Sequence, residues 1–105
     1  MTSRGPELFA DDELRNLRYQ LQLYEAIATA ASDAHGVLDI MLSASAPDAA
    51  FRALKHRYAF TEVQATAVMD VQFRRMTSTD RRNIEQKRHE LAARVAVLEE
   101  ELGRA

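Results

Sequence analysis

Arg57 to Ile84, RYAFTEVQATAVMDVQFRRMTSTDRRNI, is the stretch on which the reading of this chain turns. Thr61-Glu62-Val63-Gln64 is a capping box. The threonine hydroxyl and the glutamine amide satisfy backbone N–H groups that a helix start leaves unpaired. The helix that follows predicts Val68, Met69, Phe73 and Met76 as its inward side chains. Thr77 to Asp80 repeats the capping signal, so a second helix starts there. Ala59 and Phe60 form a tight connection to whatever precedes Thr61.

Outward from this stretch, both flanks read as long helices. Leu14, Leu17, Leu21, Tyr24, Ala28, Ala31, His35, Leu38 and Leu42 alternate spacings of three and four, which is a heptad seam. Leu23, Ile27, Ala30, Ala34, Val37 and Met41 form a second stripe beside it, and Arg15, Arg18, Gln22, Glu25, Thr29, Ser32, Asp33 and Asp39 occupy the opposite face. Two adjacent stripes are wider than a two-stranded coiled coil needs, so this helix touches more than one neighbour. Thirty helical residues reach roughly 45 Å. Ser43 to Pro47 ends the helix, and Pro47 with Asp48 suits the start of a short helix carrying Ala50, Phe51, Leu54 and Tyr58. After Thr77 the pattern Ile84, Leu91, Val95, Leu98 and Leu102 returns to heptad spacing, with Gly103 as its C-cap.

These patterns predict an all-α fold: a long antiparallel helical hairpin, or coiled coil, with a small helical globular tip. Residues 1–10 read as a flexible lead, 11–105 as one domain, and about 43–79 as the tip. Composition agrees, because strong helix formers dominate and only three glycines and two prolines are present. With no cysteine, disulfides, thiolate metal sites and thiol catalysis are excluded. The acidic N-terminal stretch lacks the apolar core of a secretory signal, and no apolar run approaches a membrane span. The expected address is cytoplasmic.

The same stretch resembles the end of the breakage–reunion region of the A subunits of bacterial type IIA topoisomerases, DNA gyrase and topoisomerase IV. The residues that carry the resemblance are Arg57-Tyr58-Ala59-Phe60-Thr61, Gln64-Ala65, Ala67-Val68-Met69-Asp70, Phe73, Met76-Thr77, Asp80 and Ile84-Glu85. It extends over roughly Leu21 to Leu102, and no gap is needed in the central motif. In that family two coiled-coil helices carry a globular tip, and two tips meet to form the exit gate (C-gate) for transported DNA. The resemblance therefore implies a homodimer joined through the tip, with the A subunit of a type IIA topoisomerase as a further partner. Ala59 departs from the family's glycine, which makes a positive φ harder to adopt at the turn. Nothing here matches the family's catalytic tyrosine, winged-helix domain or metal-binding carboxylates. Arg18-Tyr19 resembles the family's Arg-Tyr pair only superficially, inside a helix. The resemblance implies a non-enzymatic module, with a component of a split topoisomerase as the enzyme alternative.

Two residue sets are candidates for function. The large apolar residues around the tip are Met41, Phe51, Leu54, Tyr58, Phe60, Val68, Met69, Phe73 and Met76. They divide between the tip's own core and a dimer face, and spacing alone does not divide them. Arg74, Arg75, Arg81, Arg82, Lys87 and Arg88 form a basic cluster interleaved with Asp70, Asp80 and Glu85. It reads either as a solvated face or as a phosphate-contacting one, the latter giving sequence-nonspecific DNA association. The overall net charge of -2 means that any such contact is local. His35 on the seam reads as a core histidine, and His56 and His89 as surface residues. No catalytic, cofactor-binding or metal-binding constellation is present in the sequence, and no small-molecule or membrane partner is expected.

Overall fold

The computed structural model describes residues 6–71 and 77–103. Among them the elements are five helices: α1 (Pro6–Ser32), α2 (Ala34–Ser43), α3 (Pro47–Tyr58), α4 (Glu62–Met69) and α5 (Ser78–Gly103). The chain is all-α among its described residues. It is also elongated, with extents of 55 × 29 × 21 Å.

α1 and α5 pack along each other in opposite directions. Near the start of α1, Leu14 shares a buried cluster with Val95 and Leu98 of α5, flanked by Leu17, Leu21 and Leu102. Two ion pairs bridge the same region, Arg94 to Glu13 at 3.2 Å and Arg18 to Glu99 at 3.4 Å. At the other end, Ala31 and Ser32 line a groove with Ser78, Arg81 and Arg82. The bridging pairs are solvent-exposed and add little stability. Burial of the leucines and valine holds the two helices together.

A second, larger cluster joins α1 and α2 to α3 and α4. It contains Ala26, Ala30, Val37, Leu54, Phe60, Ala65 and Val68. Its three alanines are at most 2 % exposed, so α4 approaches α1 across small side chains. Ala26 belongs to neither stripe read from the sequence. Gln22, assigned there to the solvent face, donates from Nε2 to the Thr61 hydroxyl at 2.8 Å, and its carbonyl accepts from Gln64 Nε2 at 3.0 Å. That flank of α1 therefore faces α4.

The expected single helix through Leu42 is broken at Asp33, whose φ of −129° and ψ of 48° are not helical. In the turn before the break, Thr29 Oγ1 donates to the Glu25 carbonyl at 2.9 Å and Ser32 Oγ to the Thr29 carbonyl at 2.8 Å. Hydroxyls that bond nearby carbonyls offer the backbone an alternative to a straight helix. The break resets which residues face inward. Val37 is buried, with Ile40 and Met41 packed against the same core. The expected seam residues His35, Leu38 and Leu42 are exposed instead. The helix also starts earlier than expected: Pro6, inside the predicted flexible lead, opens α1, because its fixed φ and missing N–H suit a first helical position.

The local start signals hold. Pro47 lies at the start of α3 and Asp48 in its first turn. Thr61 accepts from the Gln64 N–H at 3.2 Å, and Gln64 Oε1 accepts from the Thr61 N–H at 3.0 Å, completing the capping box. Thr77 Oγ1 accepts from the Asp80 N–H at 3.2 Å at the start of α5. Gly103 is the last residue of α5.

Ala59 closes α3 in the left-handed region, at φ 55° and ψ 38°. The Cβ makes that conformation unfavourable by about 1–2 kcal/mol for an L-residue. Ala59→Gly is expected to stabilise the chain by about 1 kcal/mol. For a domain this size that raises the thermal midpoint by roughly 4–8 °C. Thermal unfolding followed by circular dichroism at 222 nm measures it, and an unchanged or lower midpoint contradicts the assignment of strain to this turn.

Candidate interaction surfaces

The break at Asp33 is also an anchoring point. Its Oδ2 accepts from the Tyr58 hydroxyl at 2.7 Å and lies 3.8 Å from the Arg57 guanidinium. The sequence reading left Asp33 on a solvent face, so this tie between the α1–α2 break and the end of α3 was missed. A local signal exists: Gly36 stands three residues on, and a Cβ there would overlap the Asp33 carboxylate. Tyr58 also stacks on Phe60, with ring centroids 5.2 Å apart, and Arg57 lies over its ring at 5.8 Å. Asp33, Tyr58 and Phe60 thus tie the break to the core and set the direction in which α2 leaves it.

The apolar candidate set divides on this frame. Leu54, Phe60 and Val68 are buried in the chain's own core and have almost no surface left for a partner. Met41, Phe51, Tyr58 and Met69 are half-buried against that core. Phe73 and Met76 lie outside the described residues. Two large apolar side chains nearby that the sequence placed on the buried seam are exposed: Leu42 is 75 % exposed and Leu38 is 38 % exposed. With His35 and Asp39 they form one exposed stripe of α2, at spacings of three, one and three residues. The same spacing that suggested a buried seam is the spacing of a solvent-facing one.

The basic candidate set divides as well. Arg88 donates from Nε to both carboxylate oxygens of Glu85 at 3.0 Å, and a further contact joins its Nη2 to Glu85. That hydrogen bonding holds the Glu85 carboxyl below its ordinary range and raises the Arg88 guanidinium. Arg88 is therefore committed to a neighbour on its own helix. Arg81 and Arg82 are exposed and line a groove of about 600 Å³ with Ala28, Ala31, Ser32, Ser78 and Glu85. Lys87 is exposed and does not line that groove. Arg74 and Arg75 lie outside the described residues. His35, His56 and His89 are all exposed, so the core position expected for His35 is not observed. Among the described residues no helix is long and apolar enough to cross a membrane.

These features describe a helical chain whose candidate sites are surfaces. No protein-family model matches it. The chain is similar to the A subunit of DNA gyrase from Lawsonia intracellularis (strain PHE/MN1-00), with 29 % identity over 91 residues. The match covers 87 % of this chain and 11 % of that protein, so the chain spans about a tenth of the relative's length.

Burial pushes the Tyr58 phenol up from 10.0 to about 12, and the hydrogen bond to Asp33 and its negative charge act in the same direction, while Arg57 opposes them. The folded state therefore favours the neutral phenol. Its contribution to stability is complete below pH 10 and is lost as pH rises from 10 to about 12. Absorbance titration at 295 nm is expected to show one of the three tyrosines ionising late, and Tyr58→Phe is expected to remove that late step. A Tyr58→Phe protein with the late step intact contradicts the assignment to Tyr58.

Proposed function

We propose that this chain is a non-catalytic, self-associating interaction module of the kind that forms the exit gate in the A subunits of type IIA topoisomerases. Its partners are a second copy of itself and the A subunit of a type IIA topoisomerase. The observation that carries the proposal is the similarity to the A subunit of DNA gyrase. It runs through nearly nine-tenths of this chain (87 %) and is confined to a small fraction of the relative (11 %). The reading gives the chain a surface to present and no reaction to perform.

The shape supports a partner. The chain exposes 7328 Å² of surface. A compact monomer of 11.9 kDa exposes about 5,900 Å². The difference exceeds the roughly 800 Å² that each side of a standard interface buries. Within the helices that follow the break, the α2 stripe of Leu38 and Leu42 supplies the apolar centre that such an interface needs, beside the half-buried Met41. A twofold pairing is the commonest way for one patch to satisfy itself. The same patch meeting its counterpart on a topoisomerase would give mixed contacts and alter that enzyme's activity.

Sedimentation equilibrium tests the self-association. The unaltered chain is expected to be a dimer at micromolar concentration. Leu38→Glu with Leu42→Glu is expected to leave the helical circular dichroism unchanged and to weaken dimerisation at least tenfold. A monomeric unaltered chain, or a dimer indifferent to both changes, contradicts the proposed face. For the second partner, a pull-down with the A subunits of gyrase and topoisomerase IV, together with a supercoiling assay, is decisive. Neither binding nor a change in supercoiling would remove the topoisomerase from the reading.

A further inference from the structure

α1 covers one face of α5, and an uncovered face of α5 has an order of its own. Arg82, Gln86, His89, Ala93, Ala96 and Glu100 are all exposed and follow one another at spacings of four and three. That is the spacing of a helix-pairing seam. It starts in a basic segment and ends in an acidic one. Arg81, Arg82, Lys87 and Arg88 outnumber Asp80 and Glu85 in the first turns, while Glu99, Glu100 and Glu101 lie at the far end, with no basic residue in the last turn.

This order is the reverse of the one a helix macrodipole favours, which places anions at the N-terminus and cations at the C-terminus. α1 does not relieve the acidic end. Its turns beside that end carry Asp11, Asp12 and Glu13. Arg15, Arg18 and Arg94 pair with Asp12, Glu99 and Glu13, and the end stays net negative among the described residues. The start of α5 in a second copy carries the complementary charge. The seam is symmetric about position 91, so a reversed copy sets Arg82 opposite Glu100, Gln86 opposite Ala96 and His89 opposite Ala93. A twofold axis makes each match twice. Parallel pairing would set Arg82 against Arg82 and Glu100 against Glu100.

We propose that α5 pairs with α5 of a second copy, antiparallel and twofold-symmetric, along the seam from Arg82 to Glu100. The contact is separate from the α2 face and does not require it. The seam is about 27 Å long. A single helix face of that length is smaller than a standard interface, so the pairing is weak and charge sets its direction.

The chain has no cysteine, so introduced thiols report the contact without background. Full-length Gln86→Cys and Ala96→Cys chains are mixed in equal amounts, oxidised, and their disulfides identified by mass spectrometry. A disulfide needs Cα atoms within about 7 Å, and antiparallel pairing keeps the two copies of position 86 about 15 Å apart along the axis. The mixed 86–96 disulfide is therefore expected to exceed either like-with-like product at least about tenfold. Arg82→Glu in both chains sets like charges together and is expected to lower the mixed product at least about tenfold. Arg82→Glu in one chain with Glu100→Arg in the other matches both ends again and is expected to restore it. Both changes follow the macrodipole's preference, so the helix is not weakened by them, and unchanged helical circular dichroism checks this.

Products in the ratio of random collision, a dominant 86–86 disulfide, or no disulfide overturns the proposal. So does a mixed product indifferent to Arg82→Glu, or one that the swapped pair does not restore. Leu38→Glu with Leu42→Glu in both chains is expected to leave the mixed product unchanged. Its loss there makes the α5 contact a by-product of the α2 face and sinks the proposal, while the α2 reading stands or falls on its own sedimentation result.

Discussion

The hydrogen bond from Tyr58 to Asp33 is the constraint from which the arrangement of this molecule follows. It joins the break after α1 to the end of α3, two places that are 25 residues apart in the chain. With that bond made, α2 leaves α1 at a new angle, Val37 turns into the core, and the Leu38–Leu42 stripe turns out. Tyr58 then places Phe60 by stacking, and Phe60 is followed at once by the cap that starts α4. One short polar contact thus fixes the directions of three helices around a small core. A half-buried hydrogen bond of this kind is worth only about 1 kcal/mol net. Its importance is geometric, because it selects which apolar side chains the core receives.

The close approach of α4 to α1 depends on what is absent from side chains there. Ala26, Ala30 and Ala65 let the two backbones come near, and that nearness lets Gln22 reach Thr61 and Gln64. The glutamine network and the alanine contact are one feature seen from two sides. Larger residues at the alanines would hold α4 off and leave the Gln22 carbonyl and the Gln64 amide to water.

How much of this was legible follows from how local each signal is. The starts of α3, α4 and α5 were legible because Pro47, the Thr61–Gln64 box and the Thr77–Asp80 pair act on backbone groups within three residues. The inward faces of Leu91, Val95 and Leu98 were legible because the spacings of four, three and four from Leu91 to Leu102 run without interruption. The break at Asp33 was not, since spacings of three and four continue across it and a periodicity count does not register one non-helical residue. Ala26 was overlooked because an alanine is equally at home on a buried or an exposed face. At the candidate surfaces, the residue types were visible but their allocation was not. Leu54 and Leu42 are the same amino acid, yet Leu54 of α3 is buried in the core and Leu42 of α2, beyond the break at Asp33, is exposed. Likewise Arg82 and Arg88 look equivalent until Glu85 is seen to engage only Arg88.

The two hydrophobic clusters have a consequence for the order in which this chain becomes structured. The smaller one, Leu14 with Val95 and Leu98, draws on α1 and α5 alone, which are far apart in sequence. Closing so long a loop onto three side chains is entropically unfavourable. The larger cluster uses α1 to α4, which are consecutive, and assembles from shorter closures. Once it exists, the chain has been turned back and α5 starts beside the end of α1. Pairing of α1 with α5 outward from that point then needs no further long loop closure.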